Sequence, residues 1–452
     1  MSVQQTDLNA EVVGPGDDGY DDAARVFFAT GEPALVVRPR DPDQVAAALA
    51  HAVRHDLALS VRSGGHSALG HGTNDGGMVI DLAHLDAVEI LDPERRLVRV
   101  GGGATWGKVA AALDPHGWGL TAGDTTGVGV GGLTLGGGIG WMVRKHGLAI
   151  DNLVAAQVVA ADGRLVTASV AEHPDLFWAI RGGGGNFGVV VGFDFVAQPV
   201  TTVHYGSVTY QLDDPADLLV RWRDAMRVAP DEMSSTLVLA PRFPGAPASA
   251  MVLLCYAGDP GTAVAEADAA IEPLLELGTV TEAAISERRY ADVLEDGQHP
   301  PGIRLVARNT MVPSLDDDVM SAAVAAHQGP APTAIAVRSL GGAFARVPAH
   351  ATAFAHRDAE AMLVCGLILP GTATDADVDA ALAPWRSVAA LGTGTYIGFQ
   401  GAATAEDVAA AYPPATYARL AEVKRAYDPG NLFALNHNVE PAAGEAAEGP
   451  AA

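Results

Sequence analysis

Val61-Arg62-Ser63-Gly64-Gly65-His66-Ser67 carries an apolar strand straight into two glycines and a histidine. Upstream, Ala34–Val37 reads as a short strand, Pro42–His55 as a helix with alanines and valines on one face, and Leu57–Val61 as another strand. The segment is therefore the loop that closes a small β-α-β unit. Glycines there leave backbone N–H groups bare, and a concave run of such groups holds an anion without any side-chain charge.

Further along, Met78–Leu82 and Leu97–Val100 read as strands and Trp106–Leu113 as a helix. From Ala122 to Gly140 nearly half the residues are glycine, a composition no ordinary packing helix has. Within it Gly127-Val128-Gly129-Val130-Gly131-Gly132 satisfies G-x-G-x-x-G, and Asp151 lies near the offset of a ribose-binding acid. That fingerprint needs an apolar strand before it and an amphipathic helix after it, and neither neighbour fits. What remains is a second run of bare N–H groups able to cradle a pyrophosphate.

Val154–Ala161 and Leu165–Thr167 read as a hairpin across Asp162-Gly163, followed by the glycine-rich Arg181–Gly188 and a strand, Val189–Phe195. Past Pro199 the glycine clusters stop. Longer alternating strands appear at Ser207–Leu212, Ser235–Leu239 and Met251–Tyr256, with alanine-rich helices such as Thr262–Leu277 between them. This predicts a second domain, a sheet covered on one side. The tail, Ala442–Ala452, reads as disordered from its Ala/Gly/Glu/Pro composition.

The formal net charge of −26 and the presence of only three lysines, Lys108, Lys145 and Lys424, argue against nucleic acid or anionic lipid as partners. Met1–Asp22 has neither the basic nor the apolar region of a secretory signal, and no apolar run reaches the ~18–20 residues of a membrane span. The expected location is the cytoplasm, as a monomer or homodimer. Cys255 and Cys365 read as two buried thiols, and the fourteen histidines show no metal-binding spacing.

Four segments together carry a family resemblance: Val61–Ser67; Gly123–Gly140; Asp175-Leu176-Phe177-Trp178-Ala179-Ile180-Arg181-Gly182-Gly183-Gly184-Gly185-Asn186-Phe187-Gly188-Val189-Val190; and Tyr427-Asp428-Pro429-Gly430-Asn431-Leu432-Phe433 with Asn436-His437-Asn438-Val439. In order and spacing they resemble the berberine bridge enzyme-like branch of the vanillyl-alcohol oxidase flavoproteins. The resemblance implies an α+β fold: a PCMH-type FAD-binding domain of two small α/β subdomains over residues 1–200, a substrate domain with a large antiparallel sheet over 201–400, and a segment, 401–441, that returns to the FAD domain.

It also implies FAD bonded through its 8α carbon to His66. Arg62, Ser63, Gly64, Gly65 and Ser67, with Gly123, Asp124, Thr125, Gly127, Val128, Gly131, Gly132, Leu135 and Gly136, would line the pyrophosphate and ring. Gly188 and Val189 would supply backbone contacts, and Asn436 and Asn438 would close the site. Some relatives add a cysteine tether at flavin C6, and here Thr125 stands at the matching position, so one tether is expected.

FAD performs the redox step in such a protein, and the chain supplies orientation and a base. The family's base comes from a Tyr-x-Asn-Tyr/Phe segment, which here reads Tyr396-Ile397-Gly398-Phe399. Tyr396 is the candidate, with glycine in place of the usual asparagine. A tyrosine titrates near ~10, so it would need a nearby positive charge or hydrogen-bond donors to act at neutral pH. Arg304, Arg308, Asn309, Arg338 and Tyr256 are unassigned, because alternation says which residues share a face but not which face meets the flavin. The expected activity is oxidation of a small alcohol, sugar or secondary metabolite with O2 as acceptor. A dehydrogenase using another acceptor, or a flavin-binding protein without turnover, are the alternatives.

Overall fold

A computed structural model describes residues 8–262, 264–297 and 302–444. Most of the tail read as disordered, residues 445–452, lies outside them, and residues 442–444 take no regular structure.

The first sheet holds β1 (Glu11–Val13), β2 (Leu35–Arg38), β3 (Leu59–Arg62) and β4 (Met78–Asp81) in the order β1-β2-β4-β3. The helix Pro42–Arg54 links β2 to β3; Asp41 caps it by accepting from Gln44 N, and proline opens it. β2 and β3 do not pair with each other. β4 enters between them and runs parallel to both, opposing Arg62 to Asp81. The expected β-α-β unit is thus split by a strand that arrives later in the chain.

β5 (Val88–Asp92), β6 (Leu97–Gly101), a two-residue β7 (Trp118–Gly119), β8 (Leu153–Val159), β9 (Leu165–Ser169), β10 (Val189–Val196) and a two-residue β11 (Gln198–Pro199) follow. They make an antiparallel sheet β5-β6-β10-β8-β9, with β7 paired to β11. The hairpin expected across Asp162-Gly163 is β8–β9. Inside the glycine-rich run one short helix does form, Val130–Gly136, contrary to the expectation of none. It lasts seven residues and stops at Gly137, whose φ of 127° a side chain would oppose.

The third sheet is wholly antiparallel. It comprises β12 (Thr202–Gln211), β13 (Met233–Leu239), β14 (Ser249–Tyr256), β15 (Val280–Arg289), β16 (Ile303–Val312), β17 (Thr333–Ser339) and β18 (Ala361–Pro370), ordered β15-β12-β14-β13-β17-β18-β16. One face packs Leu237, Val252, Val337 and Leu363 against the helices Pro215–Val228, Val264–Leu275 and Asp317–His327. The other carries Tyr205, Cys255, Thr236, Arg338, Asn309 and Met311 toward the glycine-rich loops. Alternation along each strand decides which residue goes where. Both cysteines are free and buried.

After the sheet, the helix Pro414–Tyr427 returns to the first part of the chain, packing Leu420 and Val423 into the core that holds Phe177, Phe187 and Phe193. Lys424 is completely buried there. It donates to Asp428, Asn186 O and Phe433 O, tying the C-terminal turn to the glycine-rich Arg181–Gly188 loop. Among the described residues, no helix is long and apolar enough to cross a membrane.

Candidate active site

The two glycine loops meet backbone to backbone. A Cβ on Gly64 would lie 2.3 Å from Gly129 N, and one on Gly129 would lie 2.1 Å from Gly64 N, so neither position admits a side chain. Ser63 stitches the contact, donating to Gly102 O at 2.7 Å and accepting from Gly131 N at 3.3 Å. Beneath, the Arg62 guanidinium donates to Asp81 and to Ala23 O, each at 2.8 Å. Arg62 lines the cavity as expected, with its charge engaged by Asp81.

Above these loops opens a cavity of 470 Å³. Ser63, Gly64, Gly65, His66, Ser67, Gly123, Asp124, Thr125, Val128, Gly131, Gly132, Leu135, Gly188, Asn436 and Tyr396 all line it. Four expected residues do not. Gly127 sits behind His66, where a Cβ would come 2.8 Å from Nε2; Gly136 backs onto Ile397; Val189 is fully buried in the core; and Asn438 is set behind the wall. A Cβ on Gly132 or Gly185 would meet nothing within 4 Å, so these glycines leave the space for a ligand. The Asn436 Oδ1 is buried without a protein partner, an acceptor suited to an N–H edge of a bound group. A glycine floor with bare N–H groups suits an anionic pyrophosphate, and the unsatisfied amide suits an N–H donor, as FAD offers both.

The His66 ring stacks on Phe27, with centroids 4.4 Å apart and planes at 20°. Burial lowers its pKa, which keeps the ring neutral. Phe27 and Phe28 carried no motif, and nothing in the sequence pointed to them. The same holds for His71, which meets His437 of the closing motif edge to face on the wall at 5.9 Å; burial holds His71 down at about 4, helped by His437.

Tyr396 is clamped by Asn309, which accepts from Tyr396 N at 2.7 Å and donates to Tyr396 O at 2.8 Å. Burial pushes its phenol up to about 12, although the N–H groups of Gly138 and Ile139 and the charge of Arg338 pull the other way. The donors that a neutral-pH base would need are present, and burial outweighs them. Without a ligand Tyr396 therefore rests as a phenol. A Cβ at position 398 would lie 2.6 Å from the Tyr396 ring and 2.7 Å from its hydroxyl, so glycine there is required by the phenol's position.

Of the unassigned residues, Arg338 and Asn309 face this region. Arg338 donates to Asp124 at 2.7 Å, while Arg304 pairs with Asp375 near the surface and Tyr256 joins the helix-side core. Glu295 N and Thr126 N bond across to Asp124 O and Glu295 O, fastening the glycine loop to the sheet-bearing part of the chain.

Fold and cavity together define a flavin-dependent oxidoreductase. Residues 33–169 match the FAD binding domain family, and residues 395–440 match the berberine and berberine like family. The chain belongs to the berberine bridge enzyme-like FAD-linked oxidoreductases, and it is an enzyme. It is 32% identical over 465 residues to (R)-6-hydroxynicotine oxidase of Paenarthrobacter nicotinovorans, covering 96% of this chain and 97% of the relative. The solved 6-hydroxy-D-nicotine oxidase of Arthrobacter nicotinovorans superposes with a TM-score of 0.85 at 29% identity, covering 96% of this chain and 98% of the other. A chitooligosaccharide oxidase superposes with a TM-score of 0.86 at 25% identity, over 98% of this chain and 100% of the other.

Proposed function

We propose that the protein is an oxidase whose FAD is bonded through the 8α carbon to His66 alone, and that it oxidises a small organic substrate with O2 as acceptor. The observation that carries this reading is the single cavity in which a neutral, stacked His66 and the clamped Tyr396 share walls floored by glycine backbone. The relatives named as oxidases support it.

Residues 1–200 and 401–441 would hold the cofactor, and the sheet of residues 201–400 would present the substrate. When bound, FAD accepts a hydride at N5 and passes the electrons on. The chain's part is to bind, orient and exclude water. Gly64 and Gly132 would hold the pyrophosphate by backbone, with Ser63 and Gly131 bracing the two loops, Asn436 would accept from the ring edge, and Tyr396 would donate a hydrogen bond to the substrate. Thr125 replaces a second tether with a hydroxyl, which lacks the nucleophilic anion of a thiolate.

Reoxidation of the photoreduced protein in air tests the acceptor. Recovery of the yellow colour within seconds agrees with an oxidase, whereas a flavin that stays bleached for many minutes assigns the electrons to another acceptor.

A further inference from the structure

Asp124 supplies the only carboxylate among the described residues that line the cavity. Its side chain is 37% exposed although it lies deep between the glycine loop and the third sheet, so its open surface faces the cavity. One oxygen, Oδ2, accepts from Arg338 Nη2 at 2.7 Å. The other, Oδ1, has a long contact of 3.4 Å with Thr125 Oγ1, and the backbone N–H of Asp124 also bonds the carboxylate. Arg338 is itself fixed, donating to Thr236 Oγ1 at 3.1 Å and lying 5.3 Å from the Trp141 ring centroid. The carboxylate is thus held rigidly, with one oxygen left for a ligand.

We propose that Asp124 is a specificity-determining residue that receives the nitrogen of a compact, largely apolar amine substrate. This rests on the functional reading above and names the substrate class for that same cavity.

Three observations favour an amine over an alcohol or a sugar. Burial raises the Asp124 carboxyl, but the charge and hydrogen bond of Arg338 outweigh it and keep the group ionised, an acceptor suited to an amine N–H and to the cation that oxidation leaves on the nitrogen. Next, the walls near Asp124 and Tyr396 are Leu133, Ile139, Ile397, Phe399 and Ala307. A polyol would bury hydroxyls there with few partners, and each unpaired hydroxyl weakens binding. Finally, alcohol oxidation removes a hydroxyl proton along with the hydride, and Tyr396 rests as a phenol while Asp124 is too weakly basic to take that proton. A neutral amine gives up hydride alone: the ammonium proton is released to water as the amine binds, its N–H donates to Asp124 Oδ1, its C–H pair would go to FAD, and the nitrogen lone pair closes a C=N bond that carries the positive charge beside Asp124.

The test is equilibrium binding to the flavin-loaded protein, measured by calorimetry with two isosteres that cannot be oxidised. These are α,α-dimethylbenzylamine and α,α-dimethylbenzyl alcohol, neither of which has hydrogen on the carbon bearing the heteroatom. The wild type should bind the amine about tenfold or more tightly than the alcohol, and Asp124→Asn should bring the two within about threefold. Asp124→Glu, which retains the charge, keeps the preference and covers the case in which the asparagine variant fails to fold. Equal or tighter binding of the alcohol by the wild type, no amine binding at about 10 mM, or a preference that survives in a folded Asp124→Asn overturns the proposal. The visible flavin spectrum separates the two readings. A protein without flavin sinks the proposed function, whereas a flavin-loaded protein that prefers the alcohol sinks only this inference.

Discussion

His66 lies flat against Phe27, ring over ring at 4.4 Å, with Gly127 directly behind its Nε2. The stack and the bare glycine fix where the imidazole points, and burial keeps it neutral, so a ring nitrogen lone pair is available for a bond to flavin at physiological pH.

Phe27→Ala removes one face of that seat. Such a stack is worth about 0.5–1.5 kcal/mol, so covalent attachment should fall severalfold under matched expression while Phe27→Tyr retains it. The absorbance that stays with the acid-precipitated protein reports the fraction attached. A wild-type fraction in Phe27→Ala would remove the stack from the attachment step.

The two glycine loops should respond differently to the same substitution. Gly64→Val drives a side chain into Gly129 backbone and should disrupt the fold, lowering the melting temperature and soluble yield. A Cβ at Gly132 meets no protein atom within 4 Å, so Gly132→Val should melt at least as high as flavin-free wild type, yet carry little flavin because the branched side chain enters the cavity. Full flavin content in Gly132→Val would move the cofactor away from this loop.

Tyr396→Phe should lower turnover by roughly tenfold, the worth of one hydrogen bond, rather than the ~10²–10⁴ of a general base. Gly398→Asn restores the residue usual in the family, yet it should damage activity at least as much, because its Cβ would displace the phenol. Steady-state rates for both variants decide the matter, and a faster Gly398→Asn enzyme would show the phenol's position to be misjudged.

Much of this is legible in the sequence. Motifs within 61–67 and 123–140 are local, so their glycines announce a cradle, and alternation in β12, β13 and β14 announces a half-covered sheet. What stayed hidden depends on distant pairing. β4 enters between β2 and β3 through contacts that leave no periodic trace in either strand. Phe27 reaches His66 only because Phe27 N bonds Gly65 O, and the partnership of Arg338 with Asp124 spans 214 positions. The protonation of Tyr396 is hidden for another reason: its motif gives the position but not the burial that raises its pKa.

Lys424 and Asp428 are both fully buried, and Lys424 also bonds the carbonyls of two cavity-lining residues, Asn186 and Phe433. Lys424→Met leaves a buried carboxylate without its partner and should cost about 3–5 kcal/mol. Adding Asp428→Leu should recover part of the loss but not all, since Asp428 also accepts from Leu432 N and Phe433 N. Urea midpoints for the single and double variants measure both effects.

The central claim is one flavin bonded once, at His66. Acid precipitation followed by proteolysis and peptide mass analysis reads it directly. The yellow colour should stay with the pellet, the flavin mass should sit on the peptide containing His66 and on no other, and His66→Ala should leave the pellet colourless. A colourless wild-type pellet, or flavin mass on a second peptide, would contradict the account.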